Sequence, residues 1–342
     1  MITVRSGTIG SDYSIARSSE QQKLQGEFLV CHPPALVVIL PPMNEQMSRR
    51  EFAIRLGLQT GLVLSSTLSG LAAEPAAASP WQIGCYTRPW DEHDWRTALD
   101  GIAEAGYRGV GLMTARTANN LVISTQTTAE QAREVGEECR RRKLAVLSVY
   151  GGGFPIEGTL DAALEGLRKL IDHCAACGGK NLMMGGVENE QRARLYYQAI
   201  KESCDYAASL GIGLSVKPHG GTNATSPQCR KIIAGVGKPN FRLWYDPGNI
   251  FYYSDGRLDP VDDAREAGGL VVGMSVKDYL PPKNVQVAPG AGLVNFRKVM
   301  AHLKQGGFTA GPLIVETLPR GGVAQITAEA RKARLFLEDL LA

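Results

Sequence analysis

A chain of 342 residues is long enough for a leader followed by one barrel-sized domain, or for two ordinary domains. Its 37 Lys and Arg stand against 34 Asp and Glu, and a net charge of +3 spread over this length gives no field to argue for nucleic acid or an anionic membrane. Seven cysteines without regular spacing do not make a disulfide framework. Cys174 and Cys204 fall on the apolar stripes of helical patterns and read as core residues. Cys177, three positions after Cys174, has no second pair beside it that would argue for redox chemistry.

In chain order, the first recognisable pattern is Met47-Ser48-Arg49-Arg50-Glu51-Phe52, then an apolar stretch from Ala53 to Leu71, then Ala72-Ala73-Glu74-Pro75-Ala76-Ala77-Ala78. Paired arginines, a short apolar region and small residues before a cleavage point resemble a twin-arginine export signal. The resemblance implies a partner in the twin-arginine export machinery and an extracytoplasmic or periplasmic location. No stable membrane anchor is expected after signal cleavage, since the apolar run is short and carries Gln59, Ser65, Ser66, Thr67 and Ser69. Residues 1–46 have no sustained period and precede a motif that belongs at a chain start. They read as a non-native or disordered extension, with Met43 or Met47 as the expected initiator. The signal then spans 47–78 and the folded domain 79–342.

From Trp81 onward, short apolar runs alternate with helical patterns, the signature of parallel strands joined by crossover helices. Eight candidate strands lie near Gln82 to Tyr86, Tyr107 to Met113, Leu144 to Val149, Asn181 to Met184, Ile212 to Lys217, Phe241 to Asp246, Val271 to Lys277 and Pro312 to Glu316. Thr128-x-x-Gln131 is a capping box, and Gly211 closes the helix that holds Ile200 and Cys204. Eight such units predict a single-domain α/β fold, a closed (β/α)8 TIM barrel; an open doubly wound sheet is the alternative.

Strand parity sharpens the expectation, because successive side chains point to opposite faces. Ile212, Leu214 and Val216 share one face, and Gly213, Ser215 and Lys217 the other. Val272, Met274 and Val276 oppose Gly273, Ser275 and Lys277 in the same way. Bulky apolar residues suit the helix side and small or polar ones the crowded interior. Lys217, Asp246, Lys277 and Glu316 are therefore expected to point inward at four strand ends, the face where barrel enzymes assemble their sites.

The order of motifs Leu214-Ser215-Val216-Lys217-Pro218-His219-Gly220-Gly221, Trp244-Tyr245-Asp246-Pro247-Gly248-Asn249, Met274-Ser275-Val276-Lys277-Asp278 and Ile314-Val315-Glu316-Thr317, with Pro289-Gly290-Ala291-Gly292 after the seventh strand, resembles the xylose isomerase-like TIM-barrel superfamily of sugar isomerases and epimerases. The resemblance covers roughly Gln82 to the carboxyl terminus. It implies a divalent metal held by Glu, Asp, His and Glu at the ends of strands five to eight, positions that here hold Lys217, Asp246, Ser275 and Glu316. Two of these four ligands are missing, and Asn249 stands where the family carries a further His. A divalent cation bound in the family way is therefore disfavoured, with Asp246 and Glu316 as remnant ligands. Three carboxylates around a dication sum to −1, and so do Lys217, Asp246 and Glu316, so an ammonium is expected to hold the two carboxylates instead.

Proton transfer next to a carbonyl needs a base and an electrophile for the developing oxyanion. Glu316 is the candidate base, and Lys217, Lys277 and His219 are candidates for the electrophile or acid. Asp246, Asn249, Tyr86 and Trp90 are candidate contacts to a small-molecule carbohydrate. Trp95, Phe251, Tyr252 and Tyr253 are further aromatics near the expected mouth. The expected function is a sugar isomerase or epimerase with a degenerate metal site. A keto-glycoside lyase or hydrolase and a non-catalytic sugar-binding barrel are the alternatives. Nucleic-acid cleavage, known on related barrels, is opposed by the balanced charge and the missing ligands.

Overall fold

The computed structural model describes residues 79–342. The paired arginines, the apolar stretch and the extension before them lie outside the described residues. Eight parallel strands, β1 (Trp81–Tyr86), β2 (Gly109–Leu112), β3 (Ala145–Tyr150), β4 (Asn181–Met184), β5 (Gly213–Val216), β6 (Phe241–Tyr245), β7 (Val271–Val276) and β8 (Gly311–Val315), follow one another around a closed barrel. β1 pairs with β8 from Trp81 opposite Gly311 to Cys85 opposite Val315, which removes the open-sheet alternative. The helices that cover it are α1 (Trp95–Glu104), α2 (Ala129–Arg141), α3 (Leu160–Ala176), α4 (Glu190–Ser209), α5 (Ser226–Val236), α6 (Pro247–Tyr253), α7 (Pro260–Arg265), α8 (Phe296–Gln305) and α9 (Val323–Leu341). No helix among the described residues is long and apolar enough to cross a membrane.

The helix ends follow local chemistry. Thr128 Oγ1 accepts from Gln131 N at 3.1 Å, and Gln131 Oε1 accepts from Thr128 N at 2.9 Å, so the expected capping box is formed at α2. Thr225 and Gln228 build a second box at α5 that the sequence reading did not single out.

Apolar residues divide into two layers. Leu214, Val216, Leu243, Met274, Val276, Leu313 and Val315 face the helices in one large buried cluster, together with Cys174 and Cys204. A smaller cluster of Tyr86, Met113, Leu147, Met183, Trp244 and Ile314 fills the barrel itself. Strand parity holds with one correction. Val272, expected outside, packs against the inner cluster. The pairing of β6 with β7 jumps from Leu243 opposite Val271 to Trp244 opposite Gly273, and this extra residue turns Val272 inward. A similar shift between β2 and β3 accompanies the inward placement of Leu147.

The interior is crowded enough that one strand must give up its side chains. A Cβ on Gly111 would lie 2.1 Å from the Tyr86 ring, so the bulk of Tyr86 requires glycine on the neighbouring strand. Gly111→Ala is expected to displace that ring and destabilise the fold by about 1–3 kcal/mol, as overpacked cores do. Urea unfolding would read this as a lowered midpoint, and an unchanged midpoint would contradict the packing account.

Candidate active site

Five ionic side chains converge at the carboxyl end of the barrel. Asp246, directly after β6, stands between neighbours from the flanking strands. Its Oδ2 accepts from Lys217 Nζ, after β5, at 3.0 Å and from Lys277 Nζ, after β7, at 2.9 Å. Its Oδ1 accepts from Asn249 N at 3.0 Å, so the same carboxylate caps α6. Glu316, after β8, accepts from Lys217 at 3.1 Å through Oε1 and 2.9 Å through Oε2, and from Lys277 at 2.7 Å through Oε1. Both lysines thus bridge both acids.

Backbone chemistry sets these positions. A Cβ on Gly248 would sit 2.6 Å from Lys277 Cγ, so the start of α6 leaves room for the lysine stem. Asn249 Nδ2 donates to Pro218 O at 2.7 Å while its Oδ1 accepts from Lys277 Nζ at 2.9 Å, tying the loops after β5 and β6 to the β7 lysine. Asn249 thereby orients Lys277, a different place from the sugar contact expected of it. Asn223 Nδ2 donates to Lys217 O at 2.7 Å and to Gly185 O at 2.8 Å, fixing the end of β5. Asp278 accepts from four backbone N–H groups, those of Tyr279, Gly290, Gly292 and Val294, and so folds the Pro289–Gly292 motif around itself.

Arg88 is the member of the cluster that sequence reasoning missed. It opens a single 3₁₀ turn (Arg88–Trp90) after β1, and its Nη1 donates to Glu316 Oε1 at 2.6 Å. The signal was available, because Gly84, Tyr86 and Arg88 share one parity if the strand is continued past its end. Arg88 also changes the charge count. Three cations, Arg88, Lys217 and Lys277, face two carboxylates, Asp246 and Glu316, so the formal sum is 3 − 2 = +1. The −1 expected from Lys217 and the two acids alone is corrected, since Lys277 and Arg88 belong to the same cluster.

Burial pushes the Lys217 ammonium down, but the charges of Glu316 and Asp246 outweigh it and hold its pKa above the ordinary lysine value. Lys277 is lowered, because burial and the neighbouring Lys217 outweigh what the acids restore. Burial raises Glu316, yet Lys217, Lys277 and Arg88 together keep its carboxyl well below the usual range. With its oxygens facing three cations, Glu316 is an anchor for the cluster and a poor proton acceptor, contrary to the base role expected for it.

His219 has no side-chain hydrogen bond among the described residues and lies beside Tyr253, ring centroids 5.2 Å apart. Burial, followed by the charges of Lys217 and Lys277, lowers its pKa to about 4, so the imidazole is neutral at neutral pH. Tyr86 is fully buried, and its hydroxyl donates to Ser148 Oγ at 3.1 Å. Its ring packs in the barrel's inner cluster with Met113, Leu147, Met183, Trp244 and Ile314, which leaves no ring face for a sugar, and burial first and the Glu316 charge second raise its pKa. Trp90 is corrected outright. It is fully buried in the cluster between barrel and helices, because the turn after β1 folds its ring away from the mouth. Phe251 stacks on Tyr279 at 5.3 Å and Tyr252 carries Lys283 over its ring, leaving Tyr253 as the aromatic beside His219.

The donor set does not fit a dication. Ser275, at the family's His position, accepts from Trp244 Nε1 at 3.1 Å inside the barrel, and the oxygens of Asp246 and Glu316 are taken by N–H groups. A metal ion would enter a cluster that already carries excess positive charge.

A closed (β/α)8 barrel with polar side chains gathered at its strand ends is the architecture of barrel enzymes. The chain belongs to the xylose isomerase-like TIM barrel family, whose model matches residues 99–340. It is 27% identical over 206 residues to L-ribulose-5-phosphate 3-epimerase UlaE of Escherichia coli O157:H7, covering 55% of this chain and 69% of that protein. Among solved structures, D-psicose 3-epimerase in the presence of D-fructose superposes with a TM-score of 0.61 at 14% identity, over 76% of this chain and 99% of that one. A xylose isomerase domain protein from Planctomyces limnophilus gives 0.57 at 18% identity, over 71% and 91%. The relatives include sugar epimerases on the same barrel; at these identities the structural likeness carries the fold.

Removing the anchor is expected to be costly. Glu316→Gln would leave three cations facing one carboxylate in a dry site, and breaking a buried pair in this way costs about 3–5 kcal/mol. In the parent, the contribution of Glu316 is complete above the ordinary glutamate pKa of about 4.3 and is lost as pH falls towards its lowered folded value. Denaturant melts of both proteins across acid pH read this difference; equal stability at neutral pH would refute the anchor role.

Proposed function

We propose that the protein is a sugar isomerase or epimerase that moves a proton beside a carbonyl, with ammonium and guanidinium groups in place of the family's dication. The observation that carries this reading is the double bridge of Asp246 and Glu316 by Lys217 and Lys277, to which Arg88 adds the charge that leaves the cluster positive. Membership of a family whose relatives include sugar epimerases supports the substrate class.

His219 is the base in this proposal. It is neutral, lacks a side-chain partner among the described residues, and lies close enough to feel the charges of both lysines. As the C–H bond beside the substrate carbonyl breaks, its proton passes to the imidazole. The bonding pair becomes the C=C of an enediolate, and the carbonyl pair moves onto oxygen. That oxyanion is stabilised by the excess positive charge of Arg88, Lys217 and Lys277, which is present before the reaction and needs no rearrangement. Return of the proton to the neighbouring carbon, with the hydroxyl proton passing from the second oxygen to the oxyanion, completes isomerisation. One free base favours isomerisation over inversion, which ordinarily uses a base on each face.

Export as a folded protein by the twin-arginine route is part of the proposal, supported by Ser48-Arg49-Arg50 and the apolar stretch after it.

The test is incorporation of solvent deuterium into ketoses and aldoses, followed by mass spectrometry, on protein pre-treated with a chelator. Exchange next to the carbonyl is expected to survive chelation and to fall about a hundredfold or more in His219→Gln. The acid limb of kcat/KM should lie at about 4, where the imidazole gains its proton, and not near the ordinary histidine value of about 6.5. Exchange that disappears on chelation and returns with Mn²⁺, or that survives His219→Gln, would overturn the proposal.

A further inference from the structure

The charge surplus of the cluster says something about the substrate. Lys217 and Lys277 are 2% and 3% exposed at their side chains and lie against both carboxylates, whereas the Arg88 side chain is 31% exposed. The positive charge that the two acids leave uncompensated therefore reaches the mouth at Arg88. Arg88 donates to Glu316 through Nη1, and no other guanidinium N–H of Arg88 has a protein partner among the described residues.

The neighbouring acids that might have neutralised it are committed elsewhere. Arg320, after β8, takes Asp91 at 2.6 Å and Glu92 at 3.3 Å, the two carboxylates of the loop that carries Arg88. Asp278 spends its oxygens on four backbone N–H groups. His219, beside Tyr253, is neutral and supplies no counter-charge. A guanidinium presents paired N–H groups that match the geometry of a carboxylate or phosphate.

We propose that the sugar carries an anionic group, a carboxylate or a phosphate, and that Arg88 binds it with the N–H groups that Glu316 leaves free. This inference rests on the proton-transfer reading for its substrate being a sugar and extends it to a charged one. Arg88 then both anchors Glu316 and selects the substrate. The anion pairs with the free N–H groups of Arg88, whereas an uncharged sugar of the same shape leaves them without a charged partner.

Calorimetric titration of the full chain with D-glucuronate, D-glucose 6-phosphate and D-glucose in a low-chloride buffer tests it. A charge-assisted pair is expected to make at least one charged sugar bind about tenfold to a hundredfold tighter than glucose, with the preference falling as salt is added. The tighter of the two charged sugars identifies the anion. Arg88→Gln, which keeps a donor for Glu316, should remove the preference, and Arg88→Lys should restore part of it. A thermal melt confirms that the variants are folded, and the salt dependence of the parent needs no variant. Equal binding of charged and uncharged sugars, or a preference that persists in Arg88→Gln, would overturn the inference. Solvent-deuterium exchange into an uncharged ketose with no anion preference would overturn it while leaving the proton-transfer reading intact. Anion-dependent binding with no exchange into any sugar would support it and sink that reading.

Discussion

Two buried carboxylates held by two buried ammonium groups govern the rest of the site. Asp246 lies between Lys217 and Lys277 because β5, β6 and β7 are neighbours in the barrel, and Glu316 meets the same lysines from β8. Neither carboxylate can be truncated without leaving cations unpaired in a dry place. As a stabilising device such a cluster is inefficient, because packed apolar side chains of similar volume often do as well or better. Its position at the mouth, beside a neutral imidazole with no side-chain hydrogen bond among the described residues and a guanidinium about a third exposed, accords with chemistry better than with support.

Much of this was legible in the sequence. Alternation of small inward residues with Leu, Val and Met outward marked Lys217 and Lys277 as inward, and the same parity placed Asp246 and Glu316. Thr128-x-x-Gln131 and Gly211 marked helix ends because caps act through neighbours along the chain. What was hidden depended on contacts distant in sequence or on irregular backbone. A single extra residue in β7 turned Val272 to the other face, and parity counting cannot see a bulge. Trp90 looked like a platform for a sugar, but the turn after β1 sends it into the core. Arg88 lies 228 positions from the carboxylate it pairs with, so only the closed barrel brings it to Glu316. Missing Arg88 and leaving out Lys277 reversed the sign of the cluster.

The family assignment and the site pull in different directions. The strand-end positions that carry ligands in the family lie at the expected places, but the chain fills two of them with Lys217 and Ser275. Ser275 is turned to a structural task with Trp244, and Lys217 neutralises the acids that remain. In the proposed reading the scaffold is kept while side chains supply the positive charge that an ion would bring. A fixed ammonium and a dication are not equivalent: the lysines bring one charge each and saturate the oxygens that a metal would need.

The measurement that bears most directly on this account is a thermal melt of the parent protein across a Mn²⁺ titration, with Lys217→Glu alongside. A ligand that binds only the folded state raises Tm with its concentration. The account predicts a parent Tm that does not respond to Mn²⁺, and a Lys217→Glu variant that melts lower and recovers as Mn²⁺ is added to its three carboxylates. A parent whose Tm rises with Mn²⁺, at one ion bound per chain, would contradict it.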